Sequence, residues 1–449
     1  GGPHPAAAMP LSDAAWEFVE DDVVDGPSMV ADGPEVVAAR RGRGASAGPR
    51  KRGGASAALD AVDDSSTSVT SESGDEGASY GGSDTVKSVD GVVDDVDESM
   101  IPTLSEIKAA LPAHVFTSSL PTSLYYVARS CVFVCGLGFA LFWAQQQSWY
   151  TEYPIARVGA LLAYWLLQGT VFWGIFTLGH DCGHSSFSRY GAVNWVVGNA
   201  LHSFILTPYE SWRVSHRHHH KNTGNMDKDE IFYPMREGEV QPRIKVLPIV
   251  VPPLTWFAYL CCGHSPRNVY HFLPFDPLFI KSRGRVAMSV ATYAGVLYAA
   301  YSVAQATSWA TVAEFYGAPL AVFATWLVVT TFLHHNEPGA VWYGDETWTY
   351  VKGNLKSVDR EYWPFDNVIH DIGTHQIHHL FPIIPHYKLV EATAAFRKAF
   401  PHLVRKSDKH FVPAFFEAGI NYITAPPPNP TQQMYRYPDA ADAAAAKDE

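Results

Sequence analysis

Four stretches of this chain are each long and apolar enough to cross a bilayer, which takes about 20 residues of helix. They cover residues 124–144 ("LYYVARSCVFVCGLGFALFWA"), 155–178, 286–306 and 314–333. Backbone in hydrocarbon must satisfy its own hydrogen bonds, and a helix does so within one segment. The expected fold class is therefore an all-α integral membrane protein with four transmembrane helices. Two weaker apolar runs, near 193–209 and 246–262, are shorter, and the second is broken by Pro252 and Pro253. Both read as segments lying in the membrane interface.

Loop charge orients the spans. The short connections 145–154 and 307–313 carry no Lys or Arg, whereas the long connection 179–285 carries Arg213, Arg217, Lys221, Lys245, Lys281, Arg283 and Arg285. Positive loops stay on the cytoplasmic face, or its stromal equivalent in a plastid. The spans then form two hairpins with both termini on the positive side. No internal period suggests a solenoid or propeller.

Charge also divides the chain. Residues 1–100 hold 20 Asp/Glu against 7 Lys/Arg, and the remainder holds 25 against 26. A stretch such as "DDSSTSVTSESGDEGASYGGSD" cannot bury enough apolar surface to offset its ordering entropy, so 1–100 reads as a disordered acidic region. Its basic patch "RRGRGASAGPRKRGG" follows the acidic "EFVEDDVVD", and transit peptides avoid acids, so a solvated tail is the reading preferred. The chain opens on Gly1 rather than Met, which leaves room for a segment ahead of it. A folded domain is expected over 101–424, and 425–449 reads as a second disordered tail without a KDEL-type address. The five cysteines, Cys131, Cys135, Cys182, Cys261 and Cys262, lie mostly in apolar runs and form neither a disulfide framework nor a zinc spacing.

Eight of the twenty histidines form three clusters: His180 and His184 in "HDCGH", His216, His219 and His220 in "HRHHH", and His375, His378 and His379 in "HQIHH". Spacings of three and four put side chains on one helix face. Each cluster thus presents two or three imidazoles in one direction, and all three lie on the positive side. His335, at the end of span four in "TTFLHHNEP", matches His180 in depth and is a ninth candidate. Eight or nine imidazoles suit two metal ions with four or five ligands each, leaving positions open for an oxygen species. Imidazole binds iron, zinc and copper, and the residues alone do not choose among them.

A lone HxxxH at a membrane boundary is more often a cap or packing residue, but three clusters on one side argue for metal. The remaining histidines are read otherwise. His218, His334 and His370 point off the shared faces, His202 sits in an apolar stretch, and His386 follows Pro382 and Pro385, where the third helix cannot continue. Metal-bound histidines donate their second ring N–H to a carboxylate or carbonyl. Asp181, Asp229, Glu230 and Asp371 are the nearby acids that could accept it.

"LGHDCGHSSFS", "SWRVSHRHHHKNTGNMDKDE" and "DNVIHDIGTHQIHHLFPIIPHYKLVEAT" resemble the three histidine boxes of the membrane fatty acid desaturases. The nearest likeness is to plant and algal enzymes acting far along the acyl chain. "IPTLSEIKAALPAHVF" resembles the segment entering span one in that group, and the likeness runs over about 101–400. The resemblance implies a non-haem diiron enzyme with a histidine-rich cap on the cytosolic or stromal side. It would spend dioxygen and two electrons to place a cis double bond in an acyl chain linked to lipid or CoA. His180, His184, His216, His219, His220, His375, His378 and His379 match the boxes, and His335 matches the additional histidine after the last span. Box two departs in having His218, and "HHNEP" lacks a further histidine found in some relatives; neither departure touches a ligand position.

An unactivated C–H bond lies beyond acid–base catalysis, so a metal–oxygen species must supply the hard step. An apolar chain would approach from lipid through a tunnel between the spans. Phe172, Trp173 and Trp326 are candidates to line it, with ordinary packing the alternative. No cytochrome-like "HPGG" segment is fused to the chain. The family's external donors are cytochrome b5 at the endoplasmic reticulum and ferredoxin in plastids. The basic loop could attract either. The endoplasmic reticulum is the expected membrane, a plastid membrane the alternative, and no nucleic acid is expected as partner. "LGHDCGH", with Asp after the first histidine, resembles the omega-3 group more than the delta-12 group. Omega-3 desaturation is the reading, with delta-12 desaturation or acyl hydroxylation as alternatives. A histidine-rich metal transporter would place its ligands at mid-membrane, and these spans lack histidine until their positive-side ends.

Overall fold

The computed structural model describes residues 100–239 and 247–438. The acidic region, apart from Met100, lies outside the described residues, as does the end of the C-terminal stretch. The folded body starts at Thr103, whose hydroxyl accepts the Glu106 N–H while the Glu106 carboxylate accepts the Thr103 N–H at 2.7 Å. This reciprocal cap starts helix α1 (Leu104–Ala110). Helix α2 (Leu120–Gln145) opens on the Ser119 cap, and α3 (Pro154–Gly183) on a proline suited to a first helical turn. Then come α4 (Gly191–Phe204), α5 (Tyr209–Asn222), α6 (Pro252–Cys262) and α7 (Arg283–Ala306). Helix α8 (Trp309–His335) includes a π-helical turn at Ala313–Gly317. Beyond it lie strand β1 (Val341–Tyr343), α9 (His375–Leu380), α10 (His386–Ala399), α11 (Phe411–Thr424) and strand β2 (Met434–Arg436).

Helices α2, α3, α7 and α8 are long and apolar enough to cross a membrane. They correspond to the four windows read from sequence, each extended by a few residues. The two hairpins are not equivalent in burial. Helices α2 and α7 are mostly surface, with Phe139 and Tyr298 about 70% exposed, as suits lipid-facing spans. Helices α3 and α8 are the inner pair. Lipid tails are as apolar as leucine, so packing and polar crosslinks must join these helices. Gly169 supplies the close approach: a Cβ there would lie 2.5 Å from the Val322 Cβ. One turn along, the Trp326 indole donates to the Thr170 hydroxyl at 3.0 Å. Phe172 and Trp326, two of the proposed tunnel residues, are buried in this core.

The end of the bundle bearing the histidines carries a cap. Helices α9 and α10 bury Ile377, Leu380 and Phe396 against Ile107, Leu111 and Val115, so the segment ahead of span one braces the third histidine cluster. The stretch from 425 onward, read as a solvated tail, is in part packed, which corrects that reading for the described residues up to Pro438. Strand β2 pairs antiparallel with β1, burying Tyr435 and Tyr437 beside Trp342. Arg236 clamps the same stretch by donating to the carbonyls of Asn429 and Gln432, each at 2.9 Å.

Candidate metal centre

Helix α3 does not stop at the end of its apolar run. It continues through "HDCG", and that extra turn stacks His184 one turn above His180. Helix α5 supplies His216, His219 and His220, α8 ends on His335, and α9 supplies His375, His378 and His379. All nine predicted residues converge. His180, His184, His216, His220 and His378 bring ring nitrogens within 4.8 Å of one another, and His219, His335 and His379 form a second such group. His375 joins the second, its Nε2 lying 2.9 Å from that of His379 and 3.3 Å from that of His335. The groups adjoin, with the rings of His220 and His379 stacked 4.1 Å apart.

The surroundings decide which ring atoms face inward. Asp229, fully buried, accepts the His219 Nδ1–H with oxygens at 2.9 and 3.1 Å, leaving the Nε2 lone pair bare. His379 Nδ1 lies 3.1 Å from both Asn354 Oδ1 and Thr223 Oγ, and the Thr223 hydroxyl donates back to the His219 carbonyl. Bare Nε2 atoms of the second group therefore meet at 2.9 to 3.4 Å. That arrangement is repulsive between neutral rings and favourable around a cation. Burial, reinforced by neighbouring imidazoles, holds His184, His216, His220, His375, His378 and His379 well below the ordinary imidazole value. Neutral imidazole is the form that binds metal. Nitrogens of His184, His220 and His378 are buried without a hydrogen-bond partner among the described residues. Orphaned ring nitrogens, neutral rings and convergent lone pairs fit a pair of metal ions.

Aromatic rings fix the walls. Trp212 stacks on His216 at 4.6 Å, His334 on His375 at 4.0 Å, and Phe232 on His335 at 4.7 Å. His334 itself is turned outward, its Nδ1 on the Val358 carbonyl. His218 turns away to Glu230; burial works against both charges, yet the pairing outweighs it, raising the imidazole pKa and lowering that of the carboxyl. His202 is a core residue between Phe176 and Trp212, bonded to the Phe176 carbonyl at 3.0 Å.

The four nearby acids separate by partner. Asp229 holds His219, while Glu230 holds His218 and Ser215. Asp181 accepts both the main-chain N–H and Nδ1–H of His386, at 3.1 and 2.8 Å, capping α10 from across the fold. Asp371 serves the turn before α9, its carbonyl accepting the Thr374 N–H and hydroxyl. Thr223 and Asn354 were not foreseen. No periodic signal marks them, and only the folded chain brings Asn354 beside a histidine 25 residues on.

A cavity of about 340 Å³ reaches the histidines from the side, passing His180, His219 and His335. Its inner walls are largely apolar and aromatic, including Trp173, Phe176 and Ile372. Of the three tunnel candidates, Trp173 lines it.

A model of the fatty acid desaturase family matches residues 158–408. The chain is 42% identical to a probable fatty acid desaturase of Sorghum bicolor over 314 residues, covering 68% of this chain and 78% of that protein. It is 39% identical over 300 residues to an endoplasmic reticulum acyl-lipid omega-3 desaturase (cytochrome b5) of Arabidopsis thaliana, covering 65% and 75%. It is 38% identical over 318 residues to an sn-1 acyl-lipid omega-3 desaturase (ferredoxin) of Nostoc, covering 70% and 86%.

Proposed function

The chain belongs to the fatty acid desaturase family, and from that membership we propose that it is a membrane omega-3 desaturase of acyl lipids, built around nine histidines and two irons. The observation that carries the reading is the convergence of His180, His184, His216, His220 and His378 in one group and His219, His335, His375 and His379 in another, at the end of a largely apolar cavity. The reaction removes two hydrogens from adjacent methylenes and, with dioxygen, two electrons and two protons, gives a cis double bond and two waters. Iron, when bound, supplies the activation of dioxygen that an unactivated C–H bond demands.

The protein's own part is positioning and exclusion. Asp229 and the Asn354–Thr223 pair orient His219 and His379, so that their inward nitrogens would be held without rotational freedom. Trp212 and Phe232 wall the histidines. Trp173, Phe176 and Ile372 form an apolar path that would align an acyl chain beneath the centre and keep bulk water from it. Electrons would come from a separate carrier, cytochrome b5 or ferredoxin, and the chain would reside in the endoplasmic reticulum or a plastid membrane. Relatives with each donor, and in each membrane, support these readings.

The test is expression of the full chain in a yeast that makes oleate but no linoleate, with fatty acid methyl esters profiled with and without supplied linoleate. Alpha-linolenate appearing only with linoleate, and absent in His180→Ala, is the expected result. Linoleate formed without feeding would replace the omega-3 reading by delta-12 desaturation, and a hydroxy acid would replace it by hydroxylation.

A further inference from the structure

Helix α11 was not foreseen as a membrane element, and its surface divides into three sectors. Ala414, Phe415 and Ala418 pack on Val329, Phe332 and Leu333 of α8. Val412, Phe416, Ile420 and Ile423 are all exposed, and at 100° per residue they fall within about 80° of one another. Glu417 and Asn421 take the remaining edge, with Glu417 paired to Lys409 at 2.9 Å. A helix with a packed face, an exposed apolar face and a narrow polar edge suits the plane of a membrane interface.

Its depth follows from its contacts. The Phe411 ring meets Trp326 at 5.2 Å, and Phe415 and Tyr422 meet Phe332 at 5.7 and 5.4 Å. Trp326 lies nine residues before His335, about 13 Å along the helix axis. The exposed face of α11 is therefore continuous with the lipid-facing surface of span four.

The cavity comes out beside it. Thr255, Ala258 and Cys262 line the cavity from one stripe of α6, and Ala258 and Cys262 are also exposed on the outer surface. Tyr422 of α11 lines it from the other side, with Val328 and Thr331 of α8 between. Helix α6 packs inward through Trp256, whose ring meets Phe176, one turn below His180.

We propose that the cavity opens sideways into the bilayer leaflet on the histidine side, between α6 and α11, and that the chain of a membrane lipid enters there without leaving the bilayer. The occupant is fixed by continuity: the mouth adjoins an apolar face at span depth, and its own wall at Thr255, Ala258 and Cys262 carries no charge. This rests on the acyl-lipid reading for the identity of the chain, but the location of the mouth can be tested separately.

In the full chain reconstituted into phosphatidylcholine vesicles, single nitroxides at positions 262, 416 and 420 in a cysteine-free background report their solvent by power-saturation EPR. Relaxation by oxygen exceeding that by a water-soluble nickel chelate at all three is expected. The reverse order at 416 and 420, or at 262, overturns the proposal. In parallel, Ala258→Trp should lower turnover of bilayer-borne substrate at least tenfold with iron per chain unchanged. Leu254→Trp, exposed on the same helix but outside the cavity lining, should stay within about twofold. Wild-type turnover in Ala258→Trp would also overturn the proposal. A double bond at another position, still abolished by Ala258→Trp, would uphold the mouth and overturn only the omega-3 reading.

Discussion

Asp229→Asn tests whether histidine orientation, rather than histidine presence alone, makes the centre. Asp229 Oδ1 accepts both the Ile231 N–H at 3.0 Å and the His219 Nδ1–H at 3.1 Å, while Oδ2 accepts the same Nδ1–H at 2.9 Å. An asparagine keeping Oδ1 in place would turn its NH2 toward a ring N–H, donor against donor. His219 must then either lose its shorter hydrogen bond or shift its proton to Nε2, which blocks the lone pair facing His335. A hydrogen bond to a charged group is worth about 1.5 to 3 kcal/mol. At about 1.4 kcal/mol per decade that is roughly ten- to hundredfold, the range found when partners of metal-bound histidines are removed. Asp229→Asn, which retains one acceptor, belongs at the lower end, and Asp229→Ala at the upper. The assay is iron per chain by mass spectrometry together with desaturated product per chain in membranes. Glu230→Gln is the control, since Glu230 is equally buried but holds His218, outside both groups; it should keep its iron within about twofold. Full iron and wild-type turnover in Asp229→Ala would refute the reasoning, and so would equal iron loss in Glu230→Gln.

Three further outcomes follow from the packing. Gly169→Val drives a side chain into Val322 and should cost about 1 to 3 kcal/mol, seen as a lower melting temperature in detergent and less Trp326–Thr170 contact; an unchanged melting temperature would mean that α3 and α8 are not held by that approach. Truncation after Thr424 removes β2 and the buried Tyr435 and Tyr437, and should lower the melting temperature by roughly 5 °C or more; a truncated chain as stable as the parent would show that stretch to be dispensable. Burial pushes the fully buried His271 down to about 4. Its folded value lies below its unfolded one, so it costs no stability above pH 6.5, and stability is lost as pH falls from there toward 4. His271→Phe should therefore gain about 2 kcal/mol relative to the parent on going from pH 7.5 to pH 5, and a pH-independent difference between the two would contradict the sign.

What the sequence made legible was whatever repeats with a period. The four spans were found because about twenty apolar residues have few other uses, and their ends were missed by up to five residues because caps are local. Span two ends at Gly183 rather than near 178 since "HDCG" is polar by composition yet must stay helical to bring His180 and His184 together. The nine histidines were legible because spacing on a helix face is itself a statement about direction. Which of them share a group was not, since His219 and His220 are neighbours on α5 yet fall on opposite sides of the centre, a division set by how α3, α8 and α9 approach. Asp181 shows the same limit from the other side. Its place next to His180 suggested a partner for that ring, but its carboxylate is satisfied by His386, 205 residues away. Adjacency in sequence constrains where a short side chain can start. Where it finds its proton donor depends on the long-range packing of α10 against the end of α3, which no local pattern encodes. The same holds for α11: its apolar face was too short to read as a span, and only its contacts with Trp326 and Phe332 reveal that the face lies at the depth of one.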